Sequence, residues 1–438
     1  MNITRASLKM ALQLTGYLLL LVCAFLTVQL HWVRAETLLQ VAPMALGVVI
    51  LLVLLTRRNE TLATVYVIYS FLILNIAYSI FVPNLATEGS ALFLIVAFGY
   101  LLGRCTAGVE IPLHINLPLV YRSQREAAES GIYFIYAGIT ARMFSHLILL
   151  SQYGVRGFYS GGYMADKIGG YSSGNGGSGP ISILSQFGAM LYVGGIAASE
   201  PIFKQHRRLV FFALVGVPVI VMQRGEVLAG AMCLIYFYRH LLKLRHLAII
   251  ASAVIFVALL FGGLRSQKMA GPASVEAGGP FGSFLGELSA AHAVHETVLT
   301  IQTDGMSYGA TLFGPIVTAV IPRTLFAAKP ELTAAVMQEK YDPGSAAAGF
   351  YLAVTLFGDW IYNFGYAGLA FISLLMGRVI TKVDKSPRTS FGVVLSYYFY
   401  SLLRDGFPRP FATMALCMMI CWLTRLEWNR PRPAASAS

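Results

Sequence analysis

Residues 131–152 read GIYFIYAGITARMFSHLILLSQ, and this stretch decides the class of fold. Its twenty-two residues carry a single formal charge, Arg142. A helix needs about 20 mostly apolar residues to cross the hydrocarbon of a bilayer. A lone crossing segment must be helical, because lipid offers its backbone no hydrogen-bond partners. Further runs of this kind lie on either side, at roughly 11–32, 38–55, 62–83, 91–107, 180–199, 209–223, 226–240, 247–264, 364–380, 390–405 and 408–424. The composition agrees. Of the 438 residues 57% are hydrophobic and 12% charged, where an average soluble domain carries about a quarter charged. That balance excludes a soluble enzyme, a disordered chain, a coiled coil and a disulfide scaffold. The expected fold is an all-α polytopic membrane protein of about twelve transmembrane helices, a single integral membrane domain over 1–438.

The net charge of +12 is arranged as a topology signal. Arg5/Lys9, Arg57/Arg58, Arg122/Arg125, Lys204/Arg207/Arg208, Arg239/Lys243/Arg245, Lys382/Lys385/Arg388 and Arg425/Arg430/Arg432 all fall on one side of the expected spans. The positive-inside rule makes that side the cytoplasm and puts both termini there. The run at 11–32 is too long for the apolar region of a cleaved signal, so it reads as a retained signal anchor. No zinc-finger spacing or aromatic-basic RNA motif is present, and no nucleic-acid partner is expected. The five cysteines sit in or at the end of apolar runs and read as small apolar residues. No His, Cys or carboxylate set has metal-ligand spacing, and there is no phosphate loop, dinucleotide fingerprint or nucleophile elbow. No metal or cofactor is expected.

Two outer segments are large. Residues 153–179 are Gly/Ser-rich, a flexible composition. Residues 265–363 are too long for a plain connector. Within them 284–302 has the periodicity of an amphipathic helix lying on the membrane surface or on the bundle. His295 falls in its apolar stripe, His292 at the edge, and Glu296 on the polar side. Residues 309–321 are apolar but short for a span.

The outer side also gathers cations that the positive-inside rule disfavours there. Arg224 lies at the tip between two short helices and Arg265 directly after a span. Arg323 follows Ile321-Pro322, Lys329 precedes Pro330, and Arg404 lies at the tip between the last two helices. Arginine's planar fork binds phosphate oxygens in bidentate fashion at any relevant pH. Several converging at the outer surface would suit a lipid diphosphate. The competing reading is that they pair with Glu226, Asp359 and Asp405 or snorkel to headgroups. Arg142, deep in its span, must face the bundle interior or water. A ligand-binding role and a buried structural pair stand as equal readings for it.

The stretch 308–370 carries Tyr308-Gly309, Ile321-Pro322-Arg323, Lys329-Pro330 and then Gly358-Asp359-Trp360-Ile361-Tyr362-Asn363-Phe364-Gly365-Tyr366-Ala367-Gly368. This succession resembles the Wzy-type O-antigen and oligosaccharide repeat-unit polymerases, over roughly residues 220–410. Trp360-Ile361 departs from the family's motif while the spacing to Tyr362 is kept. The resemblance implies a helical membrane fold of the GT-C type in a bacterial inner membrane, acting on the periplasmic side. It implies transfer of a growing glycan from undecaprenyl diphosphate to a new lipid-linked repeat unit, without metal, cofactor or nucleotide sugar. A polysaccharide chain-length regulator and membrane lipid are the partners it suggests.

On that reading Arg224, Arg323 and Arg404, with Arg265 and Lys329, stabilise the departing diphosphate. Asp359 is the first choice as general base or as an arginine's partner, followed by Glu226, Asp405 and Glu296. Tyr362 and Asn363 are candidates to bind sugar hydroxyls, or to start the next helix, and Gly365 and Gly368 to let helices pack closely. The rival readings are an O-antigen ligase, a lipid-linked oligosaccharide flippase or transporter, and an assembly partner whose outer loop only binds.

Overall fold

The computed structural model describes residues 60–78, 86–107, 124–159, 179–198, 200–221, 224–238, 290–317, 330–341, 343, 353–385 and 390–428. Every regular element among the described residues is helical. In chain order they are α1 (Thr61–Phe71), continued by a π-helical turn (Leu72–Ala77), α2 (Ala86–Thr106), α3 (Gln124–Tyr159), α4 (Gly179–Ala198), α5 (Glu200–Gln205) and α6 (Arg207–Phe211). After a second π-helical turn (Phe212–Gly216) come α7 (Val217–Ile220), α8 (Arg224–Tyr238), α9 (Ala290–Thr303), α10 (Ala310–Val317) and α11 (Thr333–Tyr341). The last three are α12 (Thr355–Lys385), α13 (Ser390–Arg404) and α14 (Pro408–Trp428).

Three helices are long and apolar enough to cross a membrane: Thr87–Thr106 within α2, Gly131–Gln152 within α3, and α12. Thr61–Ala77, Leu184–Ile196, Glu226–Tyr238 and Pro410–Met419 are shorter apolar helices. This is an α-helical chain whose apolar helices support membrane association. Helices occupy all or part of nine expected spans; those at 11–32, 38–55 and 247–264 lie outside the described residues.

The largest difference from the sequence reading is at α12, which begins at Thr355 and not at 364. Gly358, Asp359 and Asn363 are weak helix formers, but local bonds hold them helical. The Gly358 N–H donates to the Thr355 hydroxyl at 3.2 Å, and Asn363 donates to the Asp359 carbonyl at 2.8 Å. Gly365, expected as a packing residue, breaks the helix at φ 64° and ψ −155°, a conformation open essentially to glycine alone. Helix α9 overlaps the amphipathic stretch expected at 284–302 and α10 the short apolar stretch at 309–321, while α11 is a helix of the outer segment that the sequence reading did not identify.

The chain forms two compact units, Met1–His114 with Phe364–Lys385, and Ile115–Asn363 with Ser386–Ser438. In the first, α2 packs backbone to backbone against the second half of α12. A Cβ at Gly99 would meet the Ser373 side chain at 2.8 Å, and one at Gly103 or Gly377 would strike the Leu374 or Tyr100 carbonyl. Small residues one turn apart let helices in lipid approach this closely. Asp384 accepts the backbone N–H groups of Leu62 and Ala63 at 3.3 and 3.2 Å. It thereby satisfies donors that the first turn of α1 leaves without partners.

In the second unit α3 and α4 pack closely, with Gly138 against Gly188. Helix α13 packs on α4, α8 and α14; α10 packs on α14, and α9 on α11.

Candidate functional site

Polar side chains gather at three places in the second unit. The first surrounds Arg142, which is fully buried in the middle of α3. Its guanidinium pairs with Glu226 of α8 and donates to the Ser185 carbonyl of α4 at 2.8 Å. Tyr192 and Tyr397 lie within electrostatic reach of the pair, and the Tyr398 hydroxyl donates to Gln186 at 2.7 Å. Of the two sequence readings for Arg142, the structure therefore shows the buried ion pair. Arg142 is wholly buried and Glu226 nearly so, and Glu226 Oε1 has no hydrogen-bond partner among the described residues. The pair is costly to desolvate, and removing one partner strands the other charge in the interior. Glu226 also sits in the first turn of α8, where the helix dipole favours a carboxylate. Arg224 opens the same turn; its side chain lies outside the described set.

The second place is built around Asp359, 3% exposed. Its Oδ2 accepts the Phe407 backbone N–H at 2.5 Å, and the Thr333 hydroxyl bonds the same carboxylate. Thr333 meets the Thr311 hydroxyl at 2.9 Å, and Asn363 Nδ2 donates to Thr311 at 3.0 Å. Asn363, Thr311, Thr333 and Asp359 thus form one continuous buried chain of hydrogen bonds, from α12 through α10 and α11 and back. Gly406, at φ 88°, makes the close approach possible, since any Cβ there would collide with Asp359 Oδ2. Trp360 closes the corner edge-on against Phe407, ring centroids 5.6 Å apart, and against Phe313.

The carboxylate read as first choice for a general base is therefore enclosed and bonded to the turn between α13 and α14. Asn363, a candidate for sugar hydroxyls, is wholly buried and bonded within this network. Tyr362 on the same stretch is partly exposed. Arg404 and Asp405, at the same turn, pair with each other at 2.6 Å and are partly exposed.

The third place is the face of α9 and α11. Glu296 is 8% exposed, where the helical wheel had put it on an open polar side. Its Oε1 lies 3.2 Å from Nε2 of the half-exposed His292, and its Oε2 has no hydrogen-bond partner among the described residues. Tyr341 of α11 donates to the Glu296 carbonyl at 3.1 Å. At the end of α9 the Lys340 ammonium donates to Asp304 at 2.7 Å. Both groups face water, and each holds the other charged: Asp304 lies below the usual carboxylate range and Lys340 above the usual ammonium value, chiefly through this hydrogen bond.

Arg265, Arg323 and Lys329 lie outside the described residues. The structure thus joins Asp359 and Asn363 to the Arg404–Asp405 turn and joins Arg142 to Glu226, as two separate clusters. Thr311, Thr333, Gly406 and Phe407 were not singled out from the sequence. A Thr in an apolar helix carries no signal of its own, but the Gly406 punctuation next to Arg404-Asp405 was a usable cue. Among the described residues no group of three or more His, Cys, Asp or Glu side chains has a metal-binding arrangement. No model of a known family matches the chain, and no curated protein or solved structure is significantly similar to it.

Proposed function

We propose that the chain is an oligosaccharide repeat-unit polymerase of a bacterial inner membrane. On this reading about twelve helices of a GT-C-like arrangement cross the bilayer, with both termini cytoplasmic. The reaction takes place at the periplasmic face. The hydroxyl at the non-reducing end of a lipid-linked repeat unit attacks the anomeric carbon of the growing glycan. The bond from that carbon to undecaprenyl diphosphate breaks, and the electron pair leaves with the diphosphate. A polysaccharide chain-length regulator is the protein partner this chemistry would use.

One observation supports the reading above the others. The Asp359–Phe407 hydrogen bond ties the Gly358–Gly368 motif to the turn that carries Arg404. Arg224 opens α8 and Arg404 closes α13, and α8 and α13 pack on each other. In the topology read from the basic clusters, both are outer helix ends. Fixed cations there, with Arg265, Arg323 and Lys329 of the outer segment, stabilise the negative charge that builds on the departing diphosphate.

Three roles within this reading differ from those expected from the sequence. Asp359 holds the arginine-bearing turn in place, since its carboxylate is already bonded. Arg142 and Glu226 anchor the first turn of α8, which positions Arg224. Glu296, with the half-exposed His292 beside it, keeps an unpartnered oxygen for proton transfer; Glu226 also keeps one, but its other oxygen is held by the buried Arg142.

The test is an assay on the purified chain in nanodiscs. The substrate is lipid-linked oligosaccharide extracted from cells that lack the chain, with chelator and without nucleotide sugar. A polymerase lengthens the glycan and releases undecaprenyl diphosphate in step. Transfer only to a lipid A acceptor marks a ligase, and translocation with no new glycosidic bond marks a flippase.

A further inference from the structure

We propose that Tyr308 and Tyr362, together with the Asp304–Lys340 pair, form a binding platform for a neutral stretch of glycan, set apart from the arginines that hold diphosphate. The proposal rests on the polymerase reading for the identity of the glycan. The platform itself is read from geometry.

Tyr308 has φ 49°, a left-handed conformation that a bulky residue rarely adopts, and its side chain is 76% exposed. Backbone strain of this kind persists only where the surroundings impose it. Here the surroundings are explicit. The Ser307 N–H donates to the Tyr362 carbonyl at 3.1 Å, and the Ala310 and Phe313 N–H groups donate to the Ser307 and Gly309 carbonyls at 3.0 and 2.9 Å. Gly305 and Gly309 take positive φ on either side. The chain is thus pinned to α10 and α12 around Tyr308, and the pinned conformation holds an aromatic ring in the open.

The neighbouring groups are those a sugar needs. Tyr362 is partly exposed and lies within electrostatic reach of Asp304, Lys340 and Tyr341. Lys340 donates to Asp304 and, at 3.4 Å, to the Thr303 hydroxyl, and its ammonium lies 5.4 Å from the centre of the Tyr341 ring. Carboxylate, ammonium and hydroxyl groups together offer both donors and acceptors to sugar hydroxyls. An exposed tyrosine ring offers an apolar face with a polar edge, which suits the C–H face of a pyranose.

Two other occupants fit less well. The Asp304–Lys340 pair has no net charge, so it offers a diphosphate no net electrostatic attraction. A tyrosine anchoring the chain at the headgroup level of a bilayer needs no strained backbone, and the Asp304–Lys340 pair within reach of Tyr362 faces water.

The site takes part in no bond-making step. It holds the growing or accepting glycan beyond the lipid carrier, so its loss weakens glycan binding and shortens the product while chemistry continues. The test uses the full chain in nanodiscs and, as probe, delipidated oligosaccharides of one to several repeats released by mild acid from cells lacking the chain. Binding is read by saturation-transfer NMR and titration calorimetry for wild type, Tyr308→Ala, Tyr308→Trp and Asp304→Ala. Glycan ladders are read from cells carrying the same variants.

The expected result is binding weakened about tenfold or more by Tyr308→Ala, largely kept by Tyr308→Trp, and a ladder of shorter modal length. Binding by Tyr308→Ala within about twofold of wild type overturns the proposal, since that lies below the loss expected for an aromatic anchor. Wild type that builds a ladder yet binds no delipidated glycan also overturns it, and leaves the polymerase reading standing. Wild type that binds glycan through Tyr308 yet forms no glycosidic bond does the reverse.

Discussion

Each of the two units carries an arginine–glutamate pair that ties distant parts of the chain together, and the pairs sit in opposite settings. In the first unit Arg104 holds Glu60 in bidentate fashion at 2.6 and 2.7 Å, with both side chains nearly a fifth exposed. In the second unit Arg142 holds Glu226 with its own side chain wholly buried. The first pair sits where α1 begins and α2 ends, beside the Asp384 cap, and water can replace either partner. The second fastens α3, α4 and α8 in the interior, where nothing can. The same ion pair is thus a clasp in one unit and a keystone in the other. The Arg142 pair lies in the first turn of the helix that Arg224 opens, so its integrity bears on the proposed site.

Six variants test the difference between the two pairs, in falling order of effect. Arg142→Ala leaves Glu226 buried without its partner, and the expected loss is about 3–5 kcal/mol, read as heat-induced aggregation of the solubilised chain. Replacing both partners, Arg142→Met with Glu226→Leu, removes the stranded charge and recovers most of that loss. Should Arg142→Ala prove as mild as Arg104→Ala, the interior pair is not the keystone described.

Gly406→Ala pushes a methyl group into Asp359 Oδ2 at a backbone angle that alanine resists, costing about 1–3 kcal/mol and displacing the Arg404 turn. Its companion, Asp359→Asn, keeps an oxygen for the Phe407 N–H and retains most polymerising activity if Asp359 positions the turn. An activity loss as large as that of Asp359→Ala would return Asp359 to the role of general base.

Arg104→Ala costs up to about 1 kcal/mol, the range of solvent-accessible pairs, and leaves the glycan ladder unchanged. Asp304→Asn is the smallest. The Asp304 carboxyl is held below its ordinary value, so its contribution is present above the unfolded carboxylate's value and fades as pH falls through the lowered one. Because the side chain is largely in water, the effect is small: wild type melts slightly above Asp304→Asn at neutral pH, and the gap closes as pH falls through the carboxylate range.

The positions of the helices were readable because lipid demands long apolar runs, and glycine, proline and charged residues end them. The tips at Arg224 and Arg404 were readable for the same reason. The start of α12 was hidden: Gly358, Asp359 and Asn363 look like loop residues, and only their bonds to Thr355, Thr311 and Thr333 make them helical. Partner choice was hidden as well. Arg142 and Glu226 lie 84 residues apart, and no local pattern says which of several carboxylates meets which arginine. Glu296 shows the limit of a helical wheel, which sorts residues by one helix's own faces while α11 buries a polar one from outside.

In the proposed reaction the outer arginines at helix ends drive glycan polymerisation by stabilising a departing diphosphate. The most direct test is the surface glycan and the lipid-linked pool of a deletion strain complemented with wild type or with Arg224→Ala. The expected result is single repeat units on the acceptor in the deletion strain, a ladder restored by wild type, and no ladder from a normally expressed Arg224→Ala chain. A ladder that persists in the deletion strain, or that Arg224→Ala restores in full, would contradict it.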